Sequence, residues 1–130
     1  MSECISLKIP SRPEYVSLAR LNSSAVANSV GFDFEEIDDI KIAVAEACNS
    51  IIDGLDGIED SINIEYLIED MKLDIIITTN HPIDCHLKEG DDVLDQNLSL
   101  LIIETIMDEV ECLKDEVSGI KMTKRIGVDA

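Results

Sequence analysis

Three side chains that could bind a metal lie close together in the sequence: His81, Cys85 and His86. Thiolate and imidazole groups are the usual ligands of zinc, and a structural zinc site commonly takes four of them as two matched pairs. The other cysteines of the four are far apart, and no CxxC motif supplies a second pair. We therefore expect no metal site here, and interpret the cluster as part of a polar loop.

The N-terminus and the cysteines together indicate a compartment. The chain begins Met-Ser-Glu-Cys, without the basic and apolar regions of a secretory leader. No apolar run approaches the about 20 residues that a membrane-spanning helix needs. We expect a cytoplasmic protein whose thiols are reduced.

The charge restricts the partners that the protein can bind. Its 28 acidic and 10 basic residues give a net charge of −18. Such a surface repels nucleic acid and anionic membranes, so we expect neither as a partner, whereas a basic protein would be attracted. The plainer alternative, that the acidity only maintains solubility, stays open.

The first third of the chain predicts a strand followed by a helix. Residues 4–9 alternate in polarity before Pro10, which predicts a half-buried strand. Residues 14–30 carry apolar side chains at helical spacing and are followed by Gly31, a common residue just beyond a helix end.

The clearest helix follows. Asp33 can cap it, and Glu36 completes a capping-box pattern. Gly54 and Gly57 are expected to end it. Its apolar residues are spaced by 3, 4, 3 and 4 positions and so share one stripe: Ile37, Ile40, Val44, Ala47 and Ile51.

Two strands come next. Residues 62–68 alternate in polarity, and residues 73–79 contain the run Ile75–Ile77, which suggests burial on both faces. Residues 80–95 are polar and predict a long loop.

The last third predicts a helix and a hairpin. The helix covers about residues 95–109, and five of its side chains are expected to face the core: Leu98, Leu101, Ile102, Thr105 and Ile106. Strands over 110–116 and 120–126 are joined by a turn around Ser118-Gly119.

The resulting order is β-α-α-β-β-α-β-β. Paired strands with segregated helices predict an α/β two-layer sandwich: a mixed, largely antiparallel five-stranded sheet with three helices on one face. With 130 residues, the chain has the length of a single domain, residues 1–130.

Three stretches resemble the bacterial anti-sigma-factor serine/threonine kinases, which share the histidine-kinase-like (GHKL, or Bergerat) ATPase fold: KIP…PEYV at 8–16, IKIAVAEAC at 40–48 and ETIMDEV at 104–110. The resemblance covers nearly the whole chain. It implies a dimeric partner-switching regulator of transcription that binds a sigma factor and an antagonist (anti-anti-sigma) protein. It also implies that Mg-ATP is used to phosphorylate a serine.

The first part of the family's ATP site is a Glu and an Asn four residues apart on the second helix. The Glu is placed for general-base catalysis, and the Asn binds Mg²⁺. Here Glu46 matches the Glu, but Ser50 stands where the Asn belongs. Asn49 is one residue early, and one residue turns a helical side chain by about 100°.

The other two parts are also degenerate. The family's adenine-binding Asp and the Gly two residues later match Thr79 and His81. A hydroxyl is a weaker, uncharged acceptor, and an imidazole fills space that glycine leaves open. The glycine-rich phosphate-binding lid matches residues 96–100, which contain no glycine.

The resemblance therefore predicts a pseudokinase: an anti-sigma-like binding protein with a vestigial Glu46 and no bound cofactor. In the family an arginine at the position of Arg20 contacts partners. One alternative is an active serine kinase that uses Mg-ATP in an altered site, and another is a dimeric adaptor with no sigma partner. A homodimer through the first strand is expected, because an N-terminal strand often lies at a sheet edge.

Overall fold

The computed structural model of the chain describes residues 3–83, 93–114 and 117–127, of which 93–97 are described by their backbone alone. A short 3-10 helix, Pro13–Tyr15, precedes α1. The order of the main elements is the predicted one: β1 (Glu3–Pro10), α1 (Val16–Val30), α2 (Phe34–Leu55), β2 (Ser61–Glu69), β3 (Lys72–Thr79), α3 (Val93–Ile106), β4 (Glu109–Lys114) and β5 (Ser118–Arg125).

The strands form one five-stranded sheet in the order β1-β2-β3-β5-β4. All four neighbouring pairs are antiparallel, so the sheet is not mixed. Its register places Ile64 opposite Ile77, and Ile77 opposite Ile120, on the face toward the helices. The helices supply the other half of the core, which confirms the predicted α/β class.

Helix α2 lies between α1 and α3. Its capping box is formed as predicted: Asp33 Oδ1 accepts from the Glu36 N–H at 2.8 Å, and Glu36 Oε1 accepts from the Asp33 N–H at 2.9 Å. The fifth residue of the predicted stripe, Ile37, is half-buried and packs against the core. The other four are fully buried: Ile40, Val44, Ala47 and Ile51. Burying these side chains stabilises the domain by about 1.5–3 kcal/mol for each large one.

The predicted inner face of α3 is wrong by part of a turn. Leu98, Leu101 and Thr105 are exposed, and Ile102 and Ile106 are half-buried. The buried side chains are those of Leu100, Ile103 and, just beyond the helix, Met107. Helix α3 carries apolar residues on nearly every side, so its spacing alone does not select one face.

Two strand expectations also need correction. Ile76 is half-exposed, because it points to the sheet face that no described helix covers, while Ile75 and Ile77 are fully buried. Ser118 and Gly119 lie inside β5 and not in a turn. A Cβ on Gly119 would lie 2.8 Å from Thr78 Cα, so glycine allows close approach of two strands.

The cysteines do not all match the expectation of reduced thiols. Cys112 is disulfide-bonded. Cys4 and Cys48 are free. Burial raises the pKa of the Cys48 thiol to about 12, which keeps it protonated and unreactive at neutral pH.

Candidate functional site

The candidate residues lie on the C-terminal half of α2, at the end of β3 and in α3. Glu46 is half-buried on α2, and its Oε1 accepts a 2.6 Å hydrogen bond from the hydroxyl of Ser99 on α3. At the other end of α3, Lys124 Nζ donates to the Ile106 carbonyl at 2.6 Å and lies 3.5 Å from Asp39 Oδ2 on α2. The two helices are therefore antiparallel neighbours.

The two residues after Glu46 that could replace a magnesium ligand point in different directions. Asn49 is exposed, on the outer face of α2, whereas Ser50 is half-buried on the turn that follows Glu46. The angular separation expected from helix geometry is thus present. Asn49 and Ser50 lie three and four residues beyond Glu46, on either side of it, and of the two only Asn49 is exposed.

Thr79, the position matched to the adenine-binding Asp, is fully buried at the end of β3. Its hydroxyl donates to Asp60 Oδ2 at 2.9 Å. The hydroxyl hydrogen of Thr79 is therefore already donated to a group within the protein.

Asp60, in the connection between α2 and β2, accepts hydrogen bonds from the groups at the end of β3. Its Oδ2 also accepts from the Asn80 N–H and the His81 N–H, each at 3.1 Å. Its Oδ1 accepts from the Ser61 N–H at 2.6 Å. Burial alone would raise the pKa of Asp60, but the hydrogen bonds from His81, Ser61 and Thr79 outweigh it and hold the pKa well below its usual range.

His81, the position matched to a family glycine, is exposed but held in place. Its Nδ1 lies 2.7 Å from Asp60 Oδ2. An imidazole fixed by a carboxylate has a set ring orientation. The imidazole ring of His81 therefore occupies the space that a glycine would leave open beside β3, and Asp60 fixes the position of that ring.

The segment after His81 packs onto α2. A Cβ on Gly54 would lie 3.2 Å from the Cβ of Ile83, so the helix and this segment are close. The Ile83 N–H also donates to the Ser118 hydroxyl at 3.2 Å. Gly54 lies within α2 and does not end it, and the residue that caps the helix is Asp56 in the left-handed conformation.

Residues 96–100, matched to the glycine-rich lid, lie inside α3 and not in a loop. The predicted loop over 80–95 falls mostly on residues 84–92, outside the described part of the chain, as do Cys85 and His86 of the candidate metal cluster. Among the described residues, no group of three His, Cys, Asp or Glu side chains is placed to hold a metal ion.

Arg20 lies on α1, away from this site, and is exposed. Leu18 and Leu21 beside it are 49% and 68% exposed. Within residues 3–83, 93–114 and 117–127, Arg20 makes no ion pair with an acidic side chain.

Two residues of the site, Asp60 and Ser99, were not predicted. Asp60 stands directly before a strand, and its bond to the next N–H is a local pattern that Asp often forms, so its position offered a weak indication. Ser99 offered none, because its role depends on the packing of α3 against α2.

The sequence matches a known family. The family model described as "Histidine kinase-like ATPase domain" matches residues 9–124. The chain belongs to the histidine kinase-like ATPase domain family. Proteins named serine-protein kinase RsbW are similar along most of their length. The one from Listeria monocytogenes serovar 1/2a is 39% identical, over 97% of this chain and 89% of that protein.

A relative of the same name from Bacillus pumilus is 34% identical, over 94% of this chain and 85% of that protein. Another, from Halalkalibacterium halodurans, is 32% identical, over 94% of this chain and 83% of that protein. The resemblance inferred from sequence is thereby confirmed.

None of the helices among the described residues is long and apolar enough to cross a membrane.

Proposed function

We propose that this histidine kinase-like domain is a cytoplasmic anti-sigma-like regulator that binds a sigma factor or its antagonist protein without turning over ATP. The observation that carries the proposal is the surface of α1, on which Arg20, Leu18 and Leu21 are all exposed. A guanidinium without an ion pair among the described residues can bind a partner carboxylate through two hydrogen bonds, and exposed leucines of the same helix add apolar contact.

The residues at the family's nucleotide positions do not fit Mg-ATP. The Thr79 hydroxyl and the His81 ring both bond to Asp60, and Glu46 bonds to Ser99. Asn49, the nearest amide, faces outward. Glu46, Thr79 and His81 each already have a hydrogen-bond partner within the protein, which supports a binding protein without phosphoryl transfer.

A homodimer is part of the proposal. Strand β1 is an edge strand, and Ile5 on it is 38% exposed. An exposed edge can pair with a second copy. Lys8, Arg12 and Arg20 make this end less repulsive than the rest of a chain whose net charge is −18.

Calorimetric titration with Mg-ATP tests the absence of nucleotide chemistry. We expect no heat of binding at millimolar nucleotide, and none for Ser50→Asn, because the other two parts of the site stay unchanged. A micromolar dissociation constant for the unmodified protein would contradict the proposal.

A binding assay with purified sigma factor from the same organism tests the partner. We expect a complex that Arg20→Ala weakens by about 1–2 kcal/mol, or roughly tenfold. The matched control is Lys121→Ala, a basic residue of β5 on the open face of the sheet, which should leave the affinity unchanged. Equal effects of the two substitutions would mean that only overall charge matters.

A second candidate is an active serine kinase with an altered nucleotide site. It is favoured by the retention of Glu46 and by relatives that bear the name serine-protein kinase. Transfer of labelled phosphate from ATP to a co-purified antagonist protein, abolished by Glu46→Ala, would support this candidate against the first.

A further inference from the structure

Helix α3 is apolar on more sides than the protein covers. Leu100 and Ile103 are buried, as is Met107 just beyond the helix, yet Leu98 and Leu101 are 53% and 57% exposed. A helix with apolar residues all round is typical of one that is buried on every side. The outer side of α3 therefore has the composition of a contact surface.

The exposed leucines continue onto α2. The contacts Glu46–Ser99 and Asp39–Lys124–Ile106 align the two helices, and Ile42 lies one turn from both Glu46 and Asp39. This places Ile42, which is 42% exposed, level with the half-buried Ile102 on α3. We call the resulting surface the α2–α3 patch, and its members are Ile42, Leu98, Leu101 and Ile102.

The rim of the patch is acidic. Glu35 and Asp38 on α2 and Glu104 on α3 are exposed around it. The nearest lysine of α2, Lys41, lies 3.7 Å from Asp38 and offsets only one of these charges. With a net charge of −18, the whole protein reinforces the local field.

From these observations we propose that the α2–α3 patch is the docking site for a basic amphipathic helix of a partner protein. An amphipathic helix that lies on an apolar surface buries its leucine-like face, and its flanking lysines or arginines meet the acidic rim. A second copy of this chain is disfavoured as the occupant, because it would bring the same negative charge to the rim.

The patch is separate from the α1 surface. Helix α2 lies between α1 and α3, so Leu18, Arg20 and Leu21 are on the far side of α2. The inference thus goes beyond the proposed sigma-factor contact and does not depend on it.

A peptide of 14 residues, the length of α3, tests the site. It carries leucines along one helical face and lysines elsewhere, and its binding is followed by fluorescence anisotropy. We expect the double substitution Leu98→Gln and Leu101→Gln to weaken binding about tenfold or more, because both leucines are buried in the complex. Glutamine favours helix, and both positions are exposed, so the fold is retained.

The matched control is Leu18→Gln with Leu21→Gln, which removes the same atoms from α1 and should leave peptide binding unchanged. A peptide with glutamates in place of the lysines should not bind. Equal weakening by both double variants, undiminished binding to the α3 variant, or no binding to the unmodified protein would each overturn the proposal. So would conversion of a dimer to a monomer by the α3 substitutions, since the occupant would then be a second copy.

Discussion

The hydroxyl of Ser99 donates a 2.6 Å hydrogen bond to Glu46 Oε1 and joins two helices that are distant in the sequence. The resemblance to the family matches Glu46 to its general-base Glu. Its carboxylate here orients a serine of its own chain. A carboxylate engaged in this way contributes to stability, whatever else it does.

Removing this bond should reveal its contribution. Glu46→Ala and Ser99→Ala, alone and combined, form a double-mutant cycle in urea unfolding. We expect a coupling free energy of about 1 kcal/mol, because one partner of the bond is charged and both are partly exposed. Effects of the two substitutions that simply add would show that the bond does not stabilise the fold.

Asp60 should make stability depend on acid pH. Its folded-state pKa is lowered, so its stabilising effect is complete above the ordinary Asp pKa of 3.8 and is lost as the pH falls below that value toward the folded-state pKa. Asp60→Asn should lower the free energy of unfolding by about 1–3 kcal/mol near neutral pH. The difference from the unmodified protein should shrink at about pH 3.

The control for this measurement is Glu59→Gln, which removes the neighbouring exposed carboxylate. Its unfolding free energy should stay close to that of the unmodified protein at both pH values. If the Asp60→Asn difference were the same at both pH values, the carboxylate charge would not be the cause.

Val44→Asp should unfold the domain. Val44 is fully buried in the middle of α2, and an unpaired carboxylate there costs several kcal/mol. Circular dichroism should show loss of the cooperative transition. Asn49→Asp puts the same group on the exposed side of the same helix and should leave the transition within about 0.5 kcal/mol of the original.

Gly119→Ala should destabilise the sheet by about 1–3 kcal/mol. The added Cβ would lie 2.8 Å from Thr78 Cα, so the β3 and β5 backbones must separate. Lys121→Ala, two residues along β5 and on the same face, is the comparison, and thermal unfolding should show a much smaller loss. Equal losses would indicate that β5 tolerates a side chain at position 119.

The homodimer should tighten as salt rises, because screening weakens the repulsion between two chains of charge −18. Sedimentation at low and high salt measures this. Ile5→Glu on the edge strand should favour the monomer, whereas Ile58→Glu, on the exposed connection before β2, should not. A 14.3 kDa species at both salt concentrations and high protein concentration would exclude the dimer.

The fold was largely predictable because its strongest patterns are local. The capping box at Asp33 and the stripe from Ile40 to Ile51 depend only on helix geometry, and both are present. The phase of α3 was not predictable, because nearly every side of it is apolar. The exposure of Ile76 likewise depends on which sheet face the helices cover.

The bonding of the candidate residues was not predictable. Glu46, Thr79 and His81 were matched to the family's nucleotide positions by resemblance, and that match stays a prediction. The hydrogen-bond partners of these side chains are distant in sequence: Asp60 is 19 residues from Thr79, and Ser99 is 53 residues from Glu46. No periodicity in the sequence encodes a contact between side chains that only the tertiary fold makes neighbours.

The place of β1 at the edge of the sheet also affects how the chain is made. Its partner β2 begins at Ser61, beyond both α1 and α2, whereas β2 and β3 form a local hairpin. A ribosome therefore releases β1 well before the strand that can pair with it exists. During that interval Ile5, Leu7 and Ile9 are without their sheet, so a chain stalled before residue 61 would be prone to aggregation through this segment.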